Sequence, residues 1–273
     1  MQYAVKVFYR GKNFFGYQRQ PKVATIEGVL IETLEKTNHI SSIEESKFRS
    51  ASRTDRNVNA IGNVFSFDSI KAINLDQINA ELRKKGSIVC WAHAHVEENF
   101  SPRYPLSKKY WYVIPNSMLD TIDVRIEDLE NLCIKFEGVH DFRLFCKRDH
   151  RNTLRKLDRV RVIRKREGLI IEFVAPSFLW EQIRRIVSYI LNYNSLPSTL
   201  KNLDMLLKPS NDIESISIQP ADPNQLILVE LKYPNIIWKE SQKAKKLILE
   251  MLKKEIMIFQ QELAVTNTIK NAI

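Results

Sequence analysis

The chemistry available to this chain centres on one acid and its neighbours. In "SASRTDRNVNAIGNVFSFD", Ser50 to Asp68, Asp55 stands among Arg53, Arg56, Asn57 and Asn59, just before a strand-like alternation. A carboxylate beside cations stays ionised. Presented on a loop, it can serve as a nucleophile or as a base towards an anionic substrate. The same residue types also build turns, where an aspartate accepts nearby backbone N–H groups. Both roles fit this spacing.

Two further segments carry groups of the same kind. In "PSFLWEQIRRIVSYIL", the residues Leu179, Ile183, Ile186, Val187 and Ile190 form one apolar stripe. At helical spacing Arg184 falls roughly 115° from the centre of that stripe and Arg185 roughly 145°. Arg184 is thus the one nearer the packed surface, where a guanidinium needs an anionic partner or snorkels over a neighbour such as Trp180. In "FSPRYPLSKKYWYV", aromatic and basic residues interleave at Phe100, Arg103, Tyr104, Lys108, Lys109, Tyr110 and Tyr112. That pattern suits phosphate contact with base stacking, and equally a strand with one aromatic face in the core.

Other chemistries find little support. His93 and His95 share a strand face, with no third ligand at a convincing spacing, so no metal is expected. His140 and Asp141 of "GVHDF" read as a turn or cap. No glycine spacing forms a phosphate loop, and no serine stands in a nucleophile elbow. The three cysteines, Cys90, Cys133 and Cys146, are scattered and odd in number, which argues against a disulfide framework.

The 273 residues are 44% hydrophobic and 27% charged, enough for a substantial core. Lys and Arg outnumber Asp and Glu by 42 to 32, a formal charge of +10 that favours a polyanionic partner. No apolar run reaches membrane-spanning length and no secretory leader is visible, so a cytoplasmic chain is expected.

The elements that must position these residues follow from periodicity. Tyr3–Arg10 alternates as a strand, and Thr25 caps a helix carrying Ile26, Val29, Leu30 and Leu34. Short strands at Phe48–Ser52 and Gly62–Asp68, a helix through Leu75, Ile78 and Leu82, and a strand at Ile88–Val96 complete a β-α-β-β-α-β order. The order repeats: strand Lys109–Ile114, helix Ile126–Phe136, hairpin Leu157–Ile163 with Leu169–Ala175, helix Phe178–Tyr193, strand Gln225–Tyr233. Ser195–Pro220 reads as an irregular insertion, Ile236–Leu263 as a last helix and "AVTNTIKNAI" as a frayed tail. The expected fold is α+β, with two ferredoxin-like units (1–105 and 106–235) side by side, a cleft between them and a final helical segment (236–273).

Several segments together resemble one family. "SRTDRNVNA" is similar to the G-R-T-D-x-G-V-H-A segment of the TruA family of tRNA pseudouridine synthases, its S-R-T-D resembling the archaeal branch. "YRGKNFFGYQRQP", "ATIEGVL", "FSPRYPLSKKYWYV", "FEGVHDFRLF", "FLWEQIRRIV" and "PADPNQLILVELKY" resemble further family segments in the same order, covering about Tyr3 to Tyr233. Asn57 stands where a glycine is usual, and Asn tolerates left-handed backbone. Asn59, Ser101–Pro102 and Ser188 also depart from the usual residues.

The resemblance implies an isomerase that acts on the anticodon arm of tRNA as a homodimer, without a cofactor. It assigns catalysis to Asp55, held by Arg184, with Tyr110 stacking on the detached uracil. Candidate RNA contacts are Arg53 and Arg56 beside the acid, Arg103 and Lys109 in the interleaved segment, and Arg151 and Arg155 in the basic stretch Cys146 to Arg166. A non-catalytic RNA binder of the same fold, exposing Phe65 and Phe67 on a sheet, is the alternative. A nuclease or glycosidase would ask for paired acids or a metal cluster that Asp55 lacks locally.

Overall fold

A computed structural model describes residues 1–119, 122, 124–149, 152–208 and 218–273. Its strands are β1 (Gln2–Tyr9), β2 (Arg49–Ser50), β3 (Asn59–Asp68), β4 (Ile88–His95), β5 (Ser107–Pro115), β6 (Gly138–Asp141), β7 (Leu154–Leu157), β8 (Arg159–Lys165), β9 (Gly168–Ala175), β10 (Leu226–Lys232) and β11 (Lys239–Glu240). The helices are α1 (Ile26–Lys36), α2 (Leu75–Leu82), single-turn α3 (Asn116–Leu119), α4 (Ile126–Ile134), α5 (Gln182–Leu191), single-turn α6 (Leu203–Leu206) and α7 (Gln242–Ala272).

The strands of both halves join in one sheet, ordered β11-β4-β1-β3-β10-β5-β9-β8. Within each half the same neighbour pattern recurs: β4-β1-β3-β2 in the first, β10-β5-β9-β8 in the second. The seam is the parallel pair of β3 with β10, through Asn59 and Ala60, while every other pair in the sheet is antiparallel. The sequence pattern suggested two sheets side by side. Strand alternation reports one face at a time and carries no information on which edges meet.

That seam explains the position of the loop carrying Asp55. β3 offers its outer edge to β2 at Phe65 and Ser66, but to β10 at Asn59 and Ala60. The chain from Ala51 to Val58 therefore has to leave the sheet between the two partners, and it does so where the halves meet.

One face of the sheet, with Val5, Val7, Tyr9, Phe65, Phe67, Tyr110 and Tyr112, belongs to the main apolar core with the inner faces of α1, α2, α4 and α5. Phe8 and Val89 point the other way and are covered by Ala244, Leu247, Ile248, Met251 and Leu252 of α7. Thr25, Asn74 and Ser241 cap α1, α2 and α7 through side-chain oxygens that accept the N–H of Gly28, Gln77 and Ala244.

Three expectations need correction. The segment Leu157–Ile163 is not one strand: Asp158, whose N–H donates to Val174 O, separates β7 from β8, and β7 pairs instead with β6 in a small second sheet. The helix expected from Phe178 begins at Gln182, because Glu181 sits in left-handed backbone (φ 61°) and breaks the helical path. The last helix begins after Ser241 and runs through the tail that reads as frayed, to Ala272. Residues 209–217 of the expected insertion lie outside the described residues.

Candidate active site

The loop from Ala51 to Val58 is fastened from below by buried polar groups. Asn63, fully buried on β3, donates from Nδ2 to Ser52 O (2.9 Å) and to the Tyr9 hydroxyl (3.1 Å). That hydroxyl shares a 2.8 Å hydrogen bond with Thr54 Oγ1, and Tyr17 N–H donates to Thr54 O at 3.0 Å. Val58 N–H closes the turn on Asp55 O at 3.2 Å. Asn57 holds φ 70°, the left-handed conformation this turn demands in place of the usual glycine. Gly16 (φ 89°) lies against the loop, where a Cβ would stand 3.3 Å from Thr54 O.

Asp55 is thereby presented to a cleft of about 1110 Å³ between the two halves. Its carboxylate is held from the second half. Arg184 of α5 donates from Nη1 to Oδ2 at 3.0 Å, and Trp180 donates from Nε1 to Oδ1 at 3.2 Å. Arg184 is in turn aimed by Ala221, whose carbonyl accepts Nε at 2.7 Å and whose N–H donates to Arg184 O at 3.0 Å. The Asp55 and Arg184 side chains are 28% and 12% exposed, so the pair is shielded yet reachable. Such a charge-assisted pair fixes the position of the carboxylate at the mouth of the cleft.

Burial does not distinguish Arg184 from Arg185, since the Arg185 side chain is only 11% exposed. The distinction is one of partners: Arg185 is committed to Glu181 and to Ile218 O, whereas Arg184 reaches Asp55 and Ala221 O, with a Glu181 oxygen 4.0 Å from its Nη1.

Tyr110 of β5 lies in the cleft wall edge-on to Phe178, with ring centroids 5.4 Å apart. Burial, with a further contribution from the Asp55 charge, pushes its hydroxyl up to about 12, so it stays a neutral phenol at ordinary pH. Lys108, two residues earlier on the same strand face, donates from Nζ to Ser52 Oγ (2.9 Å) and Ala51 O (3.2 Å). The interleaved segment included Lys108 without distinguishing it from Lys109. β-strand alternation sends the two to opposite faces, a difference visible only once β5 is placed.

The candidate RNA contacts divide. Arg53, Arg56 and Arg103 are exposed and line the cleft, Arg56 lying 4.3 Å from the Phe15 ring centroid. Lys109 pairs with Glu230 (3.0 Å) on the face of β5 away from Tyr110. Arg155 donates to the Asn152 and Leu154 carbonyls of its own segment, apart from the cleft lining. Arg151 lies outside the described residues. In the basic stretch, Arg159 and Arg161 converge on Glu172, whose side chain is 4% exposed, and Lys156 pairs with Asp158. Lys147 is nearer the acid, with Nζ 4.1 Å from the Trp180 ring centroid.

Phe65 and Phe67 are fully buried and stack on each other, Phe65 also on Phe48, so they offer no face to a nucleobase. The alternative reading of an exposed aromatic sheet is corrected on this point.

Burial lowers Lys108 to about 8 from its ordinary 10.5. From about pH 8 to 10.5 the folded chain has released a proton that the unfolded chain still binds, so stability rises with pH across that window. Lys108→Met removes this contribution: native-chain thermal unfolding gains stability over the window relative to the variant. Parallel pH profiles for the two proteins would contradict the assignment.

A family model described as tRNA pseudouridine synthase matches residues 132–234, the part that carries Arg184. A tRNA pseudouridine synthase A of Methanosphaera stadtmanae is 36% identical over 259 residues, 95% of this chain and 94% of the relative. One of Methanothermobacter thermautotrophicus is 32% identical over 260 residues (94% and 91%), and one of Pyrococcus abyssi 36% over 259 residues (94% and 92%).

Proposed function

Because this chain belongs to the TruA family of tRNA pseudouridine synthases, we propose that it isomerises uridines of the tRNA anticodon arm with Asp55 as its single catalytic carboxylate and without a cofactor. The observation that supports this reading is the 3.0 Å Arg184–Asp55 pair, which joins groups 129 residues apart at the open cleft. A salt bridge that merely held a turn would be formed locally.

The reaction breaks the N1–C1′ bond of uridine and forms a bond from C5 to C1′. N1 ends protonated, and the proton at C5 is released. Electrons balance without an oxidant or a donated group, so one carboxylate suffices. Asp55 either attacks C1′ or removes the proton at C2′, and its hydrogen-bonded position suits both. Arg184 keeps the acid aimed. Tyr110 stacks on the detached uracil and holds it while it turns, since escape would hydrolyse the nucleotide.

The target base is stacked in folded tRNA, and extracting it costs a few kcal/mol. Arg53, Arg56 and Arg103 around the opening offset that cost through phosphate contacts. The chain acts in this reading as a homodimer in the cytoplasm. Among the described residues no helix is long and apolar enough to cross a membrane.

The test is tritium release from an anticodon-arm transcript carrying 5-tritiated uridine, without added metal or nucleotide. Release at these uridines is expected. Release only from another arm removes the substrate assignment, and release only with an added cofactor removes the single-carboxylate mechanism.

A further inference from the structure

The ion pair alone does not aim Asp55. The hydrogen bonds beneath the loop fix its backbone, and Arg184 holds Oδ2 from Nη1 at 3.0 Å while its Nε is engaged by Ala221 O. That is a one-point hold. The last torsion of an aspartate is broad, so a carboxylate gripped through one oxygen still turns about its Cβ–Cγ bond. A lone pair that turns does not stay on the line to C1′ or to the proton at C2′. The second point is Trp180, whose Nε1 donates to Oδ1 at 3.2 Å. With both oxygens held, the plane of the carboxylate is set.

Trp180 can set it because it is itself held. Leu179 N–H donates to Gln182 Oε1 at 2.8 Å, and Gln182 N–H donates to Leu179 O at 3.2 Å, with Gln182 buried. Arg185 donates from Nη2 to Glu181 Oε2 at 2.6 Å, tying the left-handed residue to the first turn of α5. Lys147 adds a hold from another segment. Its N–H donates to Trp180 O at 2.9 Å, and its Nζ lies 4.1 Å from the ring centroid. A cation at that range is attracted to the face of an indole. The Trp180 ring is still 41% exposed, and an open aromatic ring in a cleft for RNA also suits base stacking. The indole N–H separates the two roles. Stacking needs only the ring faces, whereas holding Oδ1 needs the donor.

We propose that Trp180 is a positioning residue for the isomerisation, its indole N–H setting the plane of the Asp55 carboxylate and Lys147 bracing the indole. This rests on Asp55 being the catalytic acid, as read above.

The test is single-turnover tritium release from the anticodon-arm transcript at saturating enzyme, with filter binding alongside. Trp180→Phe keeps an aromatic ring and loses the donor. A chain carrying 3-benzothienylalanine at position 180, installed by stop-codon suppression, keeps the size and faces of the indole and exchanges only N–H for sulfur. Both are expected to fold as the native chain does, to react about tenfold more slowly and to bind within about twofold of native affinity. Lys147→Met is expected to slow the native chain about threefold and to slow the Trp180→Phe chain no further, because it acts through the N–H. A benzothienyl chain with the native rate overturns the proposal. One that keeps its rate and loses affinity overturns it too, and makes the indole a substrate contact. Additive losses from Lys147→Met and Trp180→Phe overturn the brace. A native chain that releases no tritium removes the catalytic reading and this one with it, whereas a failure confined to the variants leaves Asp55 in place.

Discussion

Asp55→Asn is expected to bind unmodified tRNA within about threefold of the native chain and to form no measurable pseudouridine, a loss of at least ~10³-fold. The substitution keeps the shape and both polar positions of the side chain, so the fastening of the loop by Asn63, Thr54 and Tyr17 is untouched. What it removes is the negative charge and the nucleophilic oxygen. An amide is neither a base for C2′ nor a competent nucleophile towards C1′. Tritium release gives the rate and filter binding gives the affinity. A variant with native turnover would end the catalytic assignment, and a variant that fails in binding alone would recast Asp55 as a substrate contact. Because the acid is only partly buried, its neutralisation is expected to leave the folded chain intact.

The second large effect is at Arg184. Arg184→Met is expected to lower turnover by about 10²–10³-fold, because an acid displaced by about 1 Å loses its attack geometry. It is also expected to destabilise the chain by about 1–3 kcal/mol, since Ala221 O and Asp55 Oδ2 both lose a donor in a partly buried setting. Arg184→Lys should recover part of the stability and little of the rate. An ammonium keeps the charge but cannot reach Ala221 and Asp55 together with a fixed fork. The decisive measurement is the double variant. If Arg184 acts through the acid, adding Arg184→Met to Asp55→Asn costs almost nothing further in rate. Additive losses would instead give the guanidinium its own contact with the substrate.

Trp180 and Arg184 together occupy one direction of each Asp55 oxygen. Each oxygen retains lone-pair capacity for substrate, which is what an aimed carboxylate requires. The left-handed residue Glu181 makes this possible, as it turns the chain sharply between Trp180 and the helix that carries Arg184. Periodicity placed the helix start four residues early because the apolar stripe begins at Leu179 and a stripe does not register one left-handed turn.

By itself the sequence determined what is local. The strands near Tyr3–Arg10 and Ile88–Val96, the cap at Thr25, the repeated β-α-β-β-α-β order and the tolerance of Asn57 for a positive φ all follow from near-neighbour sterics and side-chain period. The family resemblance then marked Asp55, Arg184 and Tyr110 by residue type and order. Only the tertiary structure decided which edges and faces meet. It joined β3 to β10 and so forced the Asp55 loop out at the seam, and it brought Arg184 across 129 positions to that loop. It also set Lys108 under the loop and Lys109 on the far face, and gave Arg159 and Arg161 to a buried glutamate. The physical reason is that dihedral preference and hydrophobic period act within a turn or a strand. Long-range pairing is chosen by burial and charge neutralisation among surfaces that exist only after the elements have packed.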